Sequence, residues 1–217
     1  MTLLPLTSYL LPLTSVTRAI FRRWRSRATW LSYPALGVCW GCAARKPETS
    51  PTPAAPPAGP RVLPLARVIV LETSGPPPSD TSVSFTAGTP HVIVLRHGPP
   101  ENIVFARLSF AAAAFADSGQ TVTVEVHPRP GVYGLDVATS LPLRAGATVV
   151  FDYARYFSAP ARARQVYGSD IAFERALAVG RLLPENQIEL LPSTRPVPDH
   201  PSAPLPSAGS YLVAAPQ

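Results

Sequence analysis

Two cysteines, Cys39 and Cys42, are the residues whose type and spacing most directly suggest chemistry. A C-x-x-C pair can carry out thiol–disulfide exchange or, with two further ligands, can bind zinc. In redox proteins this motif lies at the start of a helix that follows a strand, and a zinc site needs two more ligands. The sequence around Cys39 and Cys42 has neither feature. No cysteine follows Cys42, so we expect no disulfide in the part of the chain that comes after it.

The two cysteines end a segment with the layout of a secretory signal peptide. Residues 22–27 form a compact positive cluster, residues 28–41 are apolar and uncharged, and small residues follow. This order is typical of a signal peptide. Residues 1–20 are then an unusually long leader or the result of a start codon assigned too far upstream. Their apolar run is too short and too broken by proline for a membrane helix. We therefore predict that residues 1–42 are a leader and signal peptide.

Cys42 lies where such a signal would be cleaved. Gly41 precedes it and Ala43 follows, which resembles bacterial lipoprotein signals, in which the cysteine takes a diacylglycerol and becomes the new N-terminus. Cys39 fits this pattern less well because Val38 precedes it. We predict lipid attachment at Cys42. Ordinary cleavage after residue 43 or 44, in the A-x-A manner, is the alternative.

The positive charge of the chain is confined to this N-terminal part. The formal net charge is +6. Residues 1–46 contain seven basic side chains and no acid, whereas residues 61–217 contain twelve arginines and twelve acidic residues. A nucleic-acid-binding protein needs a basic face on its folded part. The distribution therefore excludes nucleic acid as the expected partner.

A proline-rich segment separates the signal from the rest of the chain. Six of the fourteen residues in Pro47–Pro60 are proline, and the others are mostly small or polar. Such a composition cannot bury a core and favours extended polyproline II. We predict a disordered linker over residues 43–60 and a folded domain over residues 61–217.

The remainder of the chain has the pattern of many short strands separated by Pro or Gly. Val122, Val124 and Val126 alternate with polar residues and should share one face of a strand. Residues 91–96 have the composition of a buried strand, and helical patterns are few. The predicted strands are residues 67–72, 82–86, 91–96, 103–110, 121–127, 132–137, 147–153, 175–182, 187–191 and 210–214. These features predict an all-β fold, an antiparallel Ig-like β-sandwich.

The order of segments over residues 103–216 resembles a known module. The segments are Leu108–Phe115, Gln120–Val124, Pro130–Val137, Leu143–Tyr153 and Ser207–Ala215. They resemble the β-sandwich module shared by zonula occludens protein, netrin receptors and ankyrins, whose relatives occur in bacterial surface proteins and lipoproteins. The resemblance implies a structural or protein-contact domain, and it implies no catalytic residue.

Residues that could form a catalytic or metal site are scattered. The four histidines, His91, His97, His127 and His200, are expected at the surface or at strand ends. Asp199 and His200 could belong to a triad, but no G-x-S-x-G elbow accompanies them, so we expect a loop turn. No metal or cofactor motif is present. A site would require several of five residues to converge: His127, Asp136, Asp152, Asp170 and His200.

One cluster combines aromatic and basic residues: Tyr153, Arg155, Tyr156, Phe157 and Tyr167. Tyr and Arg are favoured at binding hot spots, so these residues could form a recognition loop. They could equally be strand-end aromatics that cap the core.

Taken together, these patterns predict an exported, lipid-anchored β-sandwich with a structural or protein-binding role in the cell envelope and no enzymatic activity. Its partners would be the membrane, through the N-terminal lipid, and another envelope protein. The outer membrane or periplasm is the expected location, with secretion as a soluble protein as the alternative. The alternative function is that of a secreted enzyme or a carbohydrate-binding sandwich.

Overall fold

A computed structural model describes residues 60–217, which contain twelve β-strands, two short α-helices and three 3₁₀ turns. The strands are β1 (Arg61–Pro64), β2 (Val68–Val70), β3 (Thr81–Thr86), β4 (His91–Arg96), β5 (Val104–Phe110), β6 (Thr121–Pro128), β7 (Gly134–Thr139), β8 (Ala147–Phe151), β9 (Ala178–Leu183), β10 (Gln187–Leu190), β11 (Ser202–Pro204) and β12 (Gly209–Pro216). The helices are α1 (Ala161–Tyr167) and α2 (Asp170–Ala176), and the 3₁₀ turns are Leu65–Arg67, Ala112–Ala114 and Ala154–Tyr156. The prediction of an all-β fold is confirmed for this part of the chain.

The strands form two antiparallel sheets. The larger sheet has eight strands in the order β1-β10-β9-β12-β7-β6-β3, with β2 paired to β12 beside this path. The smaller sheet has the order β11-β8-β5-β4. Every pairing is antiparallel. Apolar side chains from both sheets form one main core between them, which is the arrangement of a β-sandwich.

Strand β6 shows how the sequence produces this core. Val122, Val124 and Val126 are fully buried, while Thr121 and Glu125 on the opposite face are exposed. Successive side chains of a strand point to opposite faces, so the valines are all directed into the sandwich. The predicted face of this strand is confirmed.

A second, smaller apolar cluster lies on the other side of the larger sheet. Strands β1 and β2 are joined by the 3₁₀ turn Leu65–Arg67, yet β1 pairs with β10 and β2 pairs with β12. Because β10, β9 and β12 are neighbours, these five strands form a ring that the short turn closes. The buried members of the enclosed cluster are Val68, Ile188, Leu190, Leu212 and Ala214.

Two predicted strands differ from the structure. Strand β4 lies at the edge of the smaller sheet, and Val92 and Val94 are 54% and 41% exposed, so it is not a buried strand. Residues 175–182 are divided between the end of α2 and β9. Helix α2 forms because the hydroxyl of Ser169 accepts a hydrogen bond from the backbone N–H of Ala172 at 3.1 Å, which caps the helix.

His97 directly follows strand β4, as expected for a histidine at a strand end, but it is buried. It is 1% exposed, and its Nδ1 lies 2.8 Å from the carbonyl oxygen of Pro76. The rings of Phe105, Tyr133 and Tyr156 surround it with centroid separations of 4.8–6.2 Å. An imidazole that hydrogen-bonds one carbonyl and otherwise contacts aromatic rings can be buried, which is why this histidine belongs to the core.

The predicted signal peptide, the lipid attachment site at Cys42 and nearly all of the predicted linker lie outside the described residues. Among residues 60–217, neither helix is long or apolar enough to cross a membrane.

Candidate functional site

Two chain segments meet at one end of the smaller sheet. The backbone N–H of Phe151 donates to the carbonyl oxygen of Pro201 at 3.1 Å, and that of Tyr153 donates to the carbonyl oxygen of Asp199 at 3.4 Å. These bonds continue the pairing of β8 and β11 beyond the ends of both strands. They hold Asp152 beside Asp199 and His200.

Asp152, Asp199 and His200 form a compact cluster. The Nδ1 atom of His200 lies 2.8 Å from Oδ1 of Asp199, and its Nε2 atom lies 3.2 Å from Oδ2 of Asp152. The three side chains are half-buried, with 19–25% of their surface exposed. Within residues 60–217 this is the only group of three His, Cys, Asp or Glu side chains close enough to share a metal ion.

An open groove of about 370 Å³ adjoins this cluster. Its lining residues are Tyr153, Ala154, Phe157, Glu174, Pro198 and Asp199. Aromatic and proline side chains form its walls, and two carboxylates lie at its rim. Glu174 comes from α2, whose position is fixed by the preceding turn, where Gly168 has φ +74° and ends α1.

Arg195 connects the chain segments that line the groove. Its guanidinium donates to the Tyr153 hydroxyl at 2.7 Å and to the carbonyl oxygens of Pro198, Glu174 and Leu177 at 2.6, 2.5 and 2.6 Å. The carbonyls of Glu174 and Leu177 belong to the C-terminal turn of α2, where a cation is favoured. Because Arg195 is engaged in this way, its hydrogen-bonding capacity is largely used by the fold.

The ionisable groups in and beside the groove give it a negative charge near pH 7. Burial raises the pKa of Tyr153 to about 12, and the hydrogen bond from Arg195 offsets only part of that effect, so the phenol stays neutral near pH 7. Two carboxylates, from Asp199 and Glu174, line the groove, and the carboxylate of Asp152 lies on the other side of the His200 ring from Asp199. The arrangement is suited to a positively charged group or a metal ion.

The structure divides the aromatic–basic cluster that the sequence suggested. Tyr153 and Phe157 line the groove. Arg155 and Tyr156 instead donate to the carboxylate of Glu101 at 2.9–3.1 Å, and the hydrogen bond from Arg155, followed by that from Tyr156, lowers the pKa of that carboxyl.

The fifth member of that cluster, Tyr167, lies on α1. Its ring packs against Phe173 at 5.7 Å, and its hydroxyl donates to the carbonyl oxygen of Pro216. It therefore contributes to the packing of the helices and not to the lining of the groove.

Of the five residues whose convergence would indicate a site, two meet: Asp152 and His200. Asp136 is bound by Arg129 at 3.1 Å, and Asp170 is bound by Arg164 at 2.6 Å. His127 pairs with Asp80 at 3.1 Å, and both of these side chains are exposed.

Sequence reasoning missed the partnership of Asp199 and His200 with Asp152. The two segments are 47 residues apart, and the intervening chain contains both helices. The prediction of a loop turn at Asp199 and His200 is confirmed, since the backbone N–H of His200 bonds the carbonyl oxygen of Val197. The one local signal was the Asp-His pair itself.

No protein-family model, curated protein or solved structure matches this chain. The resemblance to the module of zonula occludens protein, netrin receptors and ankyrins therefore stays a prediction.

Proposed function

We propose that this chain is an exported protein, held in the cell envelope by a lipid on Cys42, whose Ig-like β-sandwich binds or scaffolds another envelope protein without catalysing a reaction. The order of segments supports this proposal. A signal layout ends at Cys42, a proline-rich linker follows, and strand β1 begins at Arg61, directly after that linker.

The linker has the length of a spacer. Residues 47–60 in polyproline II conformation, at about 3.1 Å per residue, would extend roughly 40 Å. This reach would hold the sandwich away from the membrane surface, so that its loops could contact a partner. The predicted anchor, linker and domain are therefore consistent with a tethered binding protein.

The groove offers a contact surface on the sandwich. Tyr153 and Phe157 offer apolar area, and the carboxylates of Asp199 and Glu174 offer negative charge beside it. Aromatic residues in a concave setting are favoured at protein interfaces. This surface suits a segment that carries a basic side chain.

The meeting of Asp152 and His200 favours a second candidate, a secreted enzyme or carbohydrate-binding sandwich. A carboxylate and an imidazole beside an aromatic groove can serve proton transfer or recognise hydroxyl groups. This candidate predicts that Asp152→Asn abolishes hydrolysis or binding of a glycan panel. The matched control Asp170→Asn, whose carboxylate lies elsewhere on the surface, should retain it.

The first proposal is tested by the mass of the mature N-terminal peptide isolated from the membrane fraction. A diacylglycerol-modified Cys42 would support the anchored protein, and Cys42→Ala should then abolish the modification while Cys39→Ala retains it. An unmodified N-terminus at residue 44 or 45 in the soluble fraction would replace the anchor by free secretion. An uncleaved chain in the cytoplasm would refute export altogether.

A further inference from the structure

The ring of His200 lies between two carboxylates. Asp199 accepts from Nδ1 at 2.8 Å, which fixes the orientation of the ring. A neutral imidazole that donates through Nδ1 presents the lone pair of Nε2 to its other neighbour. That neighbour is the Asp152 carboxylate at 3.2 Å, so two electron-rich groups face each other unless a proton or a metal ion lies between them.

Among residues 60–217, no arginine forms an ion pair with Asp152 or Asp199. The imidazole of His200 is the only basic side chain of these residues that lies within ion-pair distance of the two carboxylates. By contrast, Arg129, Arg164 and Arg181 neutralise carboxylates elsewhere on the domain. The cluster therefore concentrates two negative charges around one imidazole.

The separation of the two facing atoms fits shared coordination. Two ligand atoms about 2.0–2.1 Å from a tetrahedral zinc ion lie roughly 3.3 Å apart. The measured separation between Nε2 of His200 and Oδ2 of Asp152 is 3.2 Å. Asp199 takes the position of the carboxylate that commonly orients a metal-binding histidine and makes it a better ligand.

We propose that His200 and Asp152 bind a divalent transition-metal ion of the zinc class, with Asp199 as the residue that positions the imidazole. The remaining coordination positions would be filled by water or by a group that enters the adjacent groove. The site goes beyond the proposed binding function and does not depend on the lipid at Cys42.

Cobalt provides a direct test because tetrahedral Co²⁺ absorbs visible light. The purified full-length chain is used without a histidine tag and with Cys39→Ser and Cys42→Ser, so that thiols cannot bind the metal. We expect one Co²⁺ per chain, displaced by Zn²⁺. Asp152→Asn and His200→Ala should each weaken binding at least about tenfold, and Asp199→Asn should weaken it roughly 10–100-fold, as expected for an orienting partner.

The His127–Asp80 pair is the matched control. Its separation of 3.1 Å is nearly the same, but it is solvent-exposed and lacks a second carboxylate, so His127→Ala should leave Co²⁺ binding unchanged. Thermal melts would show whether each variant is folded. If His200→Ala does not fold, the Co²⁺ affinity of Asp152→Asn is the measurement that tests the site. A chain that binds no Co²⁺, or binds it equally well in folded Asp152→Asn, would overturn the proposal and leave a proton between the two groups.

Discussion

Replacement of Arg195 by methionine tests whether one side chain holds the groove together. Methionine keeps most of the aliphatic stem and removes all four hydrogen bonds to Tyr153, Pro198, Glu174 and Leu177. A hydrogen bond to a charged group contributes about 1.5–3 kcal/mol in a buried setting. Arg195 is half-buried and water can reach the open groove, so the combined loss should be smaller than the sum, about 2–4 kcal/mol.

The free energy of unfolding would be measured by urea denaturation and the midpoint by thermal melting. For a domain of this size, about 2–4 kcal/mol corresponds to a fall in midpoint of roughly 5–15 °C. Arg195→Lys should lie between wild type and Arg195→Met, because lysine keeps the charge but not the planar fork.

The control is Arg164→Met. Arg164 also pairs with a carboxylate through two hydrogen bonds, but its side chain is 56% exposed, so its loss should leave the midpoint unchanged. If Arg195→Met has the same thermal midpoint as the wild type, the four contacts contribute nothing to stability and the reasoning fails.

The remaining predictions concern the two apolar clusters. Gly180→Ala should destabilise the domain by about 1–3 kcal/mol in urea denaturation, because the new Cβ would lie 2.5 Å from Cδ1 of Ile188 inside the ring of five strands. An unchanged midpoint would show that the ring can expand. Tyr133→Phe should be neutral or stabilising, since it removes a buried hydroxyl without a partner, whereas Tyr211→Phe should cost about 1 kcal/mol because that hydroxyl donates to the carbonyl of Ser207. Stability should also fall as the pH rises from about 10 through about 12, because the raised pKa of Tyr133 means that its buried form must stay protonated, and Tyr133→Phe should reduce that loss. Equal alkaline losses in the two proteins would contradict this account.

Strands with strict alternation were predictable from the sequence, and proline-containing edge strands were not. In β6 every second residue is apolar, so a strand with one face on the core buries all of its apolar side chains. The local pattern is therefore enough to predict this strand. Strands β1 and β11 each include a proline and lie at sheet edges, where an absent N–H donor costs little. Their pairing depends on partners more than 50 residues away, which no local pattern specifies.

Helix α2 was predictable in principle. Ser169 followed by Asp170 is a helix-start signal, with a capping hydroxyl and an acidic residue in the first turn. Residues 175–182 were instead predicted as one strand, because of the apolar residues after Arg175, most of which belong to β9.

The candidate site was the least predictable feature. Asp152 follows a strand, whereas Asp199 and His200 lie in a proline-rich loop, and only the backbone pairing beyond β8 and β11 brings them together. The groove depends on Arg195, whose role requires three carbonyl oxygens that the sequence does not mark.

Strand β12 imposes an order of assembly on the domain. It is the last strand of the domain in the sequence and yet occupies a central place in the larger sheet, where it pairs with β2, β7 and β9. Neither the larger sheet nor the ring of five strands can therefore close without residues 209–216, whereas the strands of the smaller sheet pair without them.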